Sequence, residues 1–312
     1  VKVVVTGGAG FIGANLCRRL AVGDEADEVV ALDDLSTGCA DNLEGVDAHL
    51  VIGDLTDPDV LDEVMAGAQA VVHLGARPSV PRSLEDPMAS HHANATGTLA
   101  VVEAVRRHRV DHVLVASSSS VYGHNPTLPK HEGLTPMPAS PYAASKLAAE
   151  SYALAHAACF DLGVLALRFF NVYGPLQTAG HAYAAVVPAF VSAALAGEPA
   201  TIHGDGLQTR DFTYVGSVCD VMAAAVGERI TSDRPLNLAF GGRFTLLEVL
   251  DALEVIVGHP IERVHTEPRP GDVRDSQADQ TALRSRFPQI EPVHLADGLR
   301  RTVEWFRTGA VT

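Results

Sequence analysis

Three residues carry groups that would act as a proton-transfer unit if folding brought them together: Ser118, Tyr142 and Lys146. Tyr142 and Lys146 lie four positions apart in Ser140-Pro-Tyr-Ala-Ala-Ser-Lys146. Ser140 is a good helix cap and Pro141 suits the first helical position, so the pair is predicted to share one helix face. A free phenol keeps its proton up to a pH of about 10. An ammonium beside it favours the phenolate and makes it a usable base near neutrality. Ser118 follows the apolar run Val113-Leu-Val115, which predicts a hydroxyl at the carboxyl end of a buried strand. There it could share a proton with a substrate alcohol. A tyrosine and a lysine at this spacing also occur on plain helix surfaces, so the surrounding elements have to decide.

Those elements alternate. Val1–Thr6, Val29–Asp33, Ala48–Ile52, Ala70–Leu74, His112–Ala116 and Val164–Phe169 are short apolar runs, and helix-length segments such as Leu99–His108 and Tyr142–Phe160 separate several of them. This pattern predicts an α/β fold with a parallel sheet covered by helices on both faces. Gly7-Gly-Ala-Gly10-Phe-Ile-Gly13 follows the first strand directly and opens a helix. Glycines so spaced allow a tight turn, close approach of backbone to a pyrophosphate, and close helix packing. Asp33 ends the second strand 20 residues after Gly13, where a ribose-binding carboxylate belongs. With Asp34 beside it and no arginine following, it repels a 2′-phosphate, which favours NAD over NADP. Asp54 and Leu55 follow the third strand; Leu74, Gly75 and Ala76 end the fourth. In an open parallel sheet such strand ends face the ligand crevice.

Composition narrows the partners. Lys and Arg number 23 against 38 Asp and Glu, a net charge of −15, which argues against nucleic acid or an anionic membrane. Cys17, Cys39, Cys159 and Cys219 lie far apart with no metal-ligand spacing, and read as buried thiols of a reducing compartment. No apolar run reaches the ~18 residues of a membrane span. The first residues read as a strand and not as a signal peptide. The expectation is a cytoplasmic protein without a metal.

The ordered set Gly7-x-x-Gly10-x-x-Gly13, Asp54-Leu55, His73-Leu-Gly-Ala, Asn94 before Gly97-Thr98, Ser-Ser-Ser-Val-Tyr-Gly123, Tyr142-x-x-x-Lys146 and Arg168-Phe-Phe-Asn-Val-Tyr-Gly-Pro175 resembles the extended short-chain dehydrogenase/reductases that act on nucleotide sugars. The resemblance covers nearly the whole chain. It implies a Rossmann-type doubly wound sheet over 1–170, with returning segments about 212–240. A smaller interleaved α/β domain over 171–312 would bind the nucleotide sugar. It implies that Ser118, Tyr142 and Lys146 are catalytic, and that Gly7, Gly10, Phe11, Ile12, Gly13, Asp33, Asp34, Asp54, Leu55, Leu74, Gly75, Ala76, Asn94, Tyr142, Lys146 and Phe169 hold NAD. Substrate contacts are expected from Ser79, Val80, Ser118, Ser119, Asn171, Ala185, Val186, Val187, Arg210, Arg269, Asp272 and Ser276.

Dehydratases of this group resemble Thr-Asp-Glu at the strand end, and decarboxylases usually have a glutamate there. Here Ser118-Ser119-Ser120 carry no carboxylate, so the pattern is similar to 4-epimerases of UDP-sugars. Ser276 stands where the family places a gatekeeper near the sugar C2 substituent, and its small side chain leaves room for an N-acetyl group. Alternatives are a 4,6-dehydratase, a glucuronate 4-epimerase and a non-enzymatic NAD-binding regulator. The family also leads one to expect a homodimer formed through the helices near Leu99–His108 and Tyr142–Phe160.

Overall fold

The computed structural model describes residues 1–179, 185–268 and 273–308. Seven strands form one sheet: β1 (Lys2–Thr6), β2 (Glu28–Asp33), β3 (His49–Ile52), β4 (Ala70–His73), β5 (His112–Ser118), β6 (Gly163–Phe169) and β7 (Leu236–Leu238). They lie in the order β7-β6-β5-β4-β1-β2-β3, every neighbour parallel. The strand order reverses between β1 and β4, and at that point a crevice opens beyond the carboxyl ends.

The strands read as continuous apolar runs because both faces of the sheet are covered. Val3 and Val5 point into one core layer, with Leu16 and Leu20 of helix Phe11–Ala21 and Val218 and Met222 of helix Val215–Gly227. Val4, between them, points into the opposite layer. There it meets Leu61 and Met65 of helix Pro58–Met65 and Val101 and Val105 of helix Gly97–His108.

The last third is built more lightly. Asn171–Tyr173 pairs in parallel with Phe212–Tyr214, Thr209–Arg210 antiparallel with Phe244–Thr245, and Ala200–His203 in parallel with Arg263–Thr266. Helices Val186–Ala196, Leu246–Val257 and Leu295–Arg307 pack around these ladders. Thr245 and Glu248 form a reciprocal capping box at the start of the second of these helices.

Two expectations need correction. β5 runs past Ala116 to Ser118, because Ser117 and Ser118 stay in register with Arg168 and Phe169 of β6. The cysteines are not all buried either: Cys17 and Cys219 are, while Cys39 and Cys159 are exposed. Among the described residues no helix is long and apolar enough to cross a membrane.

Candidate active site

The turn after β1 shows why glycine is needed there. Gly7 has φ +68°, and a Cβ on it would sit 2.8 Å from the Gly75 nitrogen, in the loop after β4. A Cβ on Gly13 would lie 2.0 Å from the Gly7 carbonyl oxygen, so the helix starts pressed against the turn. Thr6, the last residue of β1, accepts from Gly75 N–H at 3.1 Å and pairs with His73 Nδ1 at 2.7 Å. Helix Phe11–Ala21 begins at Gly10 with no side-chain cap and no acid in its first turn, leaving its first amides for a phosphate.

Asp33 closes the other side of this turn. One carboxylate oxygen accepts from Ala9 N–H and the other from Leu35 N–H, each at 2.9 Å. A carboxylate offers about four lone-pair sites, so capacity remains for ribose hydroxyls. Burial pushes the Asp33 carboxyl up from its ordinary range, against those backbone donors. Asp54, beyond β3, accepts from both the amide and the hydroxyl of Thr56 at 2.7 Å, which hold its pKa down.

Gly7, Gly10, Gly13, Asp33, Asp54 and Gly75 line one cleft of about 900 Å³, which also takes in Phe11, Ile12, Asp34, Leu55, Leu74, Ala76 and Phe169. Ser118, Tyr142 and Lys146 line the same cleft. Ser118 ends β5 and caps the short turn Ser119–Tyr122. Tyr142 and Lys146 stand on helix Pro141–Phe160, which Ser140 caps by accepting from Ala143 N–H at 3.1 Å. Burial raises the Tyr142 pKa, and the Ser118 hydroxyl, hydrogen-bonded to it, works the other way. Within the chain the phenol therefore stays above its ordinary range, against the depression expected from Lys146. A positively charged nicotinamide in the cleft would act in the missing direction. Burial pulls Lys146 itself down to about 8.

A second cavity, of about 460 Å³, adjoins the first, and Val172 and Gln177 line both. Asn171, Ala185, Val186, Val187 and Arg210 line it, on the ladder strands and at the opening of helix Val186–Ala196. Arg210 is buried and donates to the Thr209 carbonyl at 2.9 Å. The glycine turn, the doubly held acid and the cleft volume together fit a dinucleotide, with room beside it for a second nucleotide-like molecule.

The sequence profile of the NAD dependent epimerase/dehydratase family matches residues 3–239. The chain belongs to that family. A UDP-glucose 4-epimerase of Mycolicibacterium smegmatis is 38% identical over 313 residues, spanning 98% of this chain and 99% of the relative. A dTDP-glucose 4,6-dehydratase of Streptomyces niveus is 31% identical, over 98% of this chain and 93% of the relative. Among solved structures, the UDP-N-acetylglucosamine 4-epimerase of Methanobrevibacter ruminantium, in complex with UDP-N-acetylmuramic acid, superposes with a TM-score of 0.92. It is 34% identical and covers 99% of this chain and 98% of that one. The protein is thus an NAD-dependent member of the epimerase/dehydratase family, similar over nearly its whole length to UDP-sugar 4-epimerases, which are isomerases.

Some expected contacts stand back from the two cavities of this epimerase/dehydratase fold. Asn94 is fully buried. It accepts from Arg77 N–H at 2.7 Å and donates to Ser145 Oγ at 2.9 Å, so it ties the loop after β4 to the helix of Tyr142 instead of lining the cleft. Ser79 caps the short helix Val80–Glu85, and neither Ser79 nor Val80 is in the lining of these two cavities. Ser119 starts the turn after β5, also outside the linings. Ser276 is buried, with its amide donating to the Thr209 carbonyl at 3.1 Å, behind the strand that carries Arg210. Arg269 and Asp272 lie outside the described residues.

The structure adds residues that sequence reasoning passed over. Arg77 and Arg82 line the dinucleotide cleft, and Gln177 lies where the cavities meet. Two arginines close behind a strand end, in so acidic a chain, were the available signal for the first two. Gln177 shows none, since only the packing of 171–177 brings it to the junction.

Proposed function

We propose that this protein is an NAD-dependent 4-epimerase of a UDP-hexose, acting on UDP-glucose or UDP-galactose and on their N-acetylated counterparts. The observation that carries this reading is the make-up of the reactive end of the cleft. Ser118, Tyr142 and Lys146 offer a single acid–base group with its supports, whereas the three carboxylates lining the cleft lie elsewhere, Asp33 and Asp34 at the end of β2 and Asp54 after β3. Loss of water across C5 and C6 requires a further acid and base at the sugar. Serines occupy the positions beyond Ser118. Epimerisation at C4 needs none.

Bound NAD supplies the acceptor, and then the source, of one hydride. The chain's own part is proton handling and orientation. Tyr142 takes the proton of the C4 hydroxyl while Ser118 bridges the two oxygens and works toward the phenolate, and Lys146 holds the cofactor ribose. After the 4-keto sugar presents its other face, Tyr142 returns the proton to the C4 oxygen. No net oxidation remains. Asp33 and Asp34 disfavour a 2′-phosphate, which supports NAD over NADP.

In the second cavity, Arg210 and Asn171 are assigned to the diphosphate and the opening of helix Val186–Ala196 to the uridine. The similarity to a UDP-N-acetylglucosamine 4-epimerase supports an N-acetyl group at C2. A homodimer through helices Gly97–His108 and Pro141–Phe160 belongs to the same reading; gel filtration at monomer size would count against it. The activity is tested by incubating protein and NAD separately with UDP-glucose, UDP-GlcNAc and UDP-glucuronate and resolving the products. The reading expects the 4-epimers of the first two. A 4-keto-6-deoxy sugar would replace it with the dehydratase reading, and NAD binding without turnover would replace it with a regulator.

A further inference from the structure

A buried carboxylate lies below Lys146, outside the proton-transfer unit described above. Glu150 follows Lys146 by one helical turn on Pro141–Phe160 and is 3% exposed. Its Oε2 accepts from Ser117 Oγ at 2.6 Å and from Arg168 Nε at 2.9 Å, and its Oε1 accepts from Arg168 Nη2 at 2.6 Å. Ser117 and Arg168 are register partners on β5 and β6, so the sheet fixes the spacing of both donors. The Arg168 guanidinium also lies 4.7 Å from the centre of the Tyr122 ring, which holds it in place from another side. Three elements therefore clamp one carboxylate beneath the reactive cleft.

Lys146 is in a different position. It is buried, and no ion pair within 4 Å is made by it among the described residues. Burial pulls down its hold on the proton, and the charge of Glu150 opposes this. Asp33, Asp34 and Asp54 line the same cleft but stand at the ends of β2 and β3, away from the strand and helix that carry Ser118 and Lys146. His73, at the end of β4, is pushed down to about 3 by burial and by Lys146, and stays neutral. Arg168 on β6 is a cation. Arg82 from helix Val80–Glu85 and His92 line the cleft, and Tyr142 shares the helix. Glu103, on the neighbouring helix Gly97–His108, is occupied by His156 and Arg106 further along.

We propose that Glu150 is a positioning residue of this active site, its carboxylate anchored by Ser117 and Arg168 as the counter-charge that keeps Lys146 an ammonium. The proposal rests on the role assigned to Lys146 under the function above and extends it one turn deeper. An isosteric Glu150→Gln keeps the shape and removes the charge. Two measurements across pH read the result: turnover of the holoenzyme, and NAD affinity of the protein by calorimetry. In Glu150→Gln the alkaline limb of both is expected to move down by about one pH unit, because Lys146 gives up its proton earlier. Glu150→Asp restores part of the shift, and Ser117→Ala, which only loosens the carboxylate, moves the limb less. A Glu150 that merely holds the fold would lower the melting temperature and leave the limb where it is. Should Glu150→Gln fail to fold because Arg168 is stranded, Ser117→Ala, which keeps both charges and only loosens the carboxylate, still reads the smaller shift. Limbs that coincide with the parent protein in the folded variants overturn the proposal. NAD affinity needs no sugar, so failure of every UDP-sugar to turn over would sink the epimerase reading while this test still reads.

Discussion

The dinucleotide cleft stands on the carboxyl ends of seven hydrogen-bonded strands, whereas the adjoining cavity is bounded by ladders of two to four residues and the opening of one helix. In the first, side chains hang from a sheet whose valines are fully buried on both faces; Val3, Val4 and Val5 are all 0% exposed. In the second, Arg210 takes its place from a two-residue strand and from a carbonyl next to it. The contrast separates tasks. Proton transfer needs fixed geometry and draws on the sheet. On the proposed reading, recognition of the nucleotide sugar draws on short elements that can vary without disturbing that geometry.

Substitutions in the two regions should therefore fail in different ways. The largest effect is expected from Tyr142→Phe, which removes the base but no cleft wall. Turnover should drop by about 10²- to 10⁴-fold, with NAD affinity by calorimetry unchanged. Next is Arg210→Gln in the second cavity, where loss of a buried charged partner should raise KM for the UDP-sugar by ~10- to 100-fold. NAD affinity should again be unaffected. If Arg210→Gln weakens NAD as much as the sugar, the two cavities are not separable and the comparison breaks. Asp33→Asn, at the opposite end, should weaken NAD by about tenfold and narrow the preference over NADP. KM for the sugar should stay put.

Sequence and structure agree best where a residue's surroundings are local. The glycine spacing, the acid 20 residues on and the Tyr–Lys helix face were legible because each depends on one strand end or one helix turn. Asn94 and Ser276 lie back from the two cavities for a different reason. Their partners, Ser145 and Thr209, come from 51 and 67 residues away in the chain, and only packing selects those contacts over the cavities. Glu150 was passed over on the same ground. As a helix residue it looks like any surface acid, and only β5 and β6 show that it is buried.

Two smaller effects concern pH. Burial pushes the Asp211 carboxyl up to about 7, against backbone donors including Ala278 N–H at 3.1 Å. Folding favours its protonated form, so its contribution to stability is full below the ordinary carboxylate range and is lost as pH climbs through about 7. Thermal melts from pH 5 to 8 should show that decline, and Asp211→Asn should flatten it. The same substitution should leave NAD affinity alone, since Asp211 sits beside the second cavity's arginine. Turnover of the parent protein should fall as pH rises through about 8, where Lys146 loses its proton.

The most direct test follows one hydrogen. UDP-GlcNAc or UDP-glucose deuterated at C4 would be incubated with the NAD-loaded protein and the product examined by NMR. A single base and a hydride that leaves and returns predict the 4-epimer with deuterium still on C4. Deuterium delivered to C6 of a 4-keto-6-deoxy sugar, or lost to water, would contradict the account.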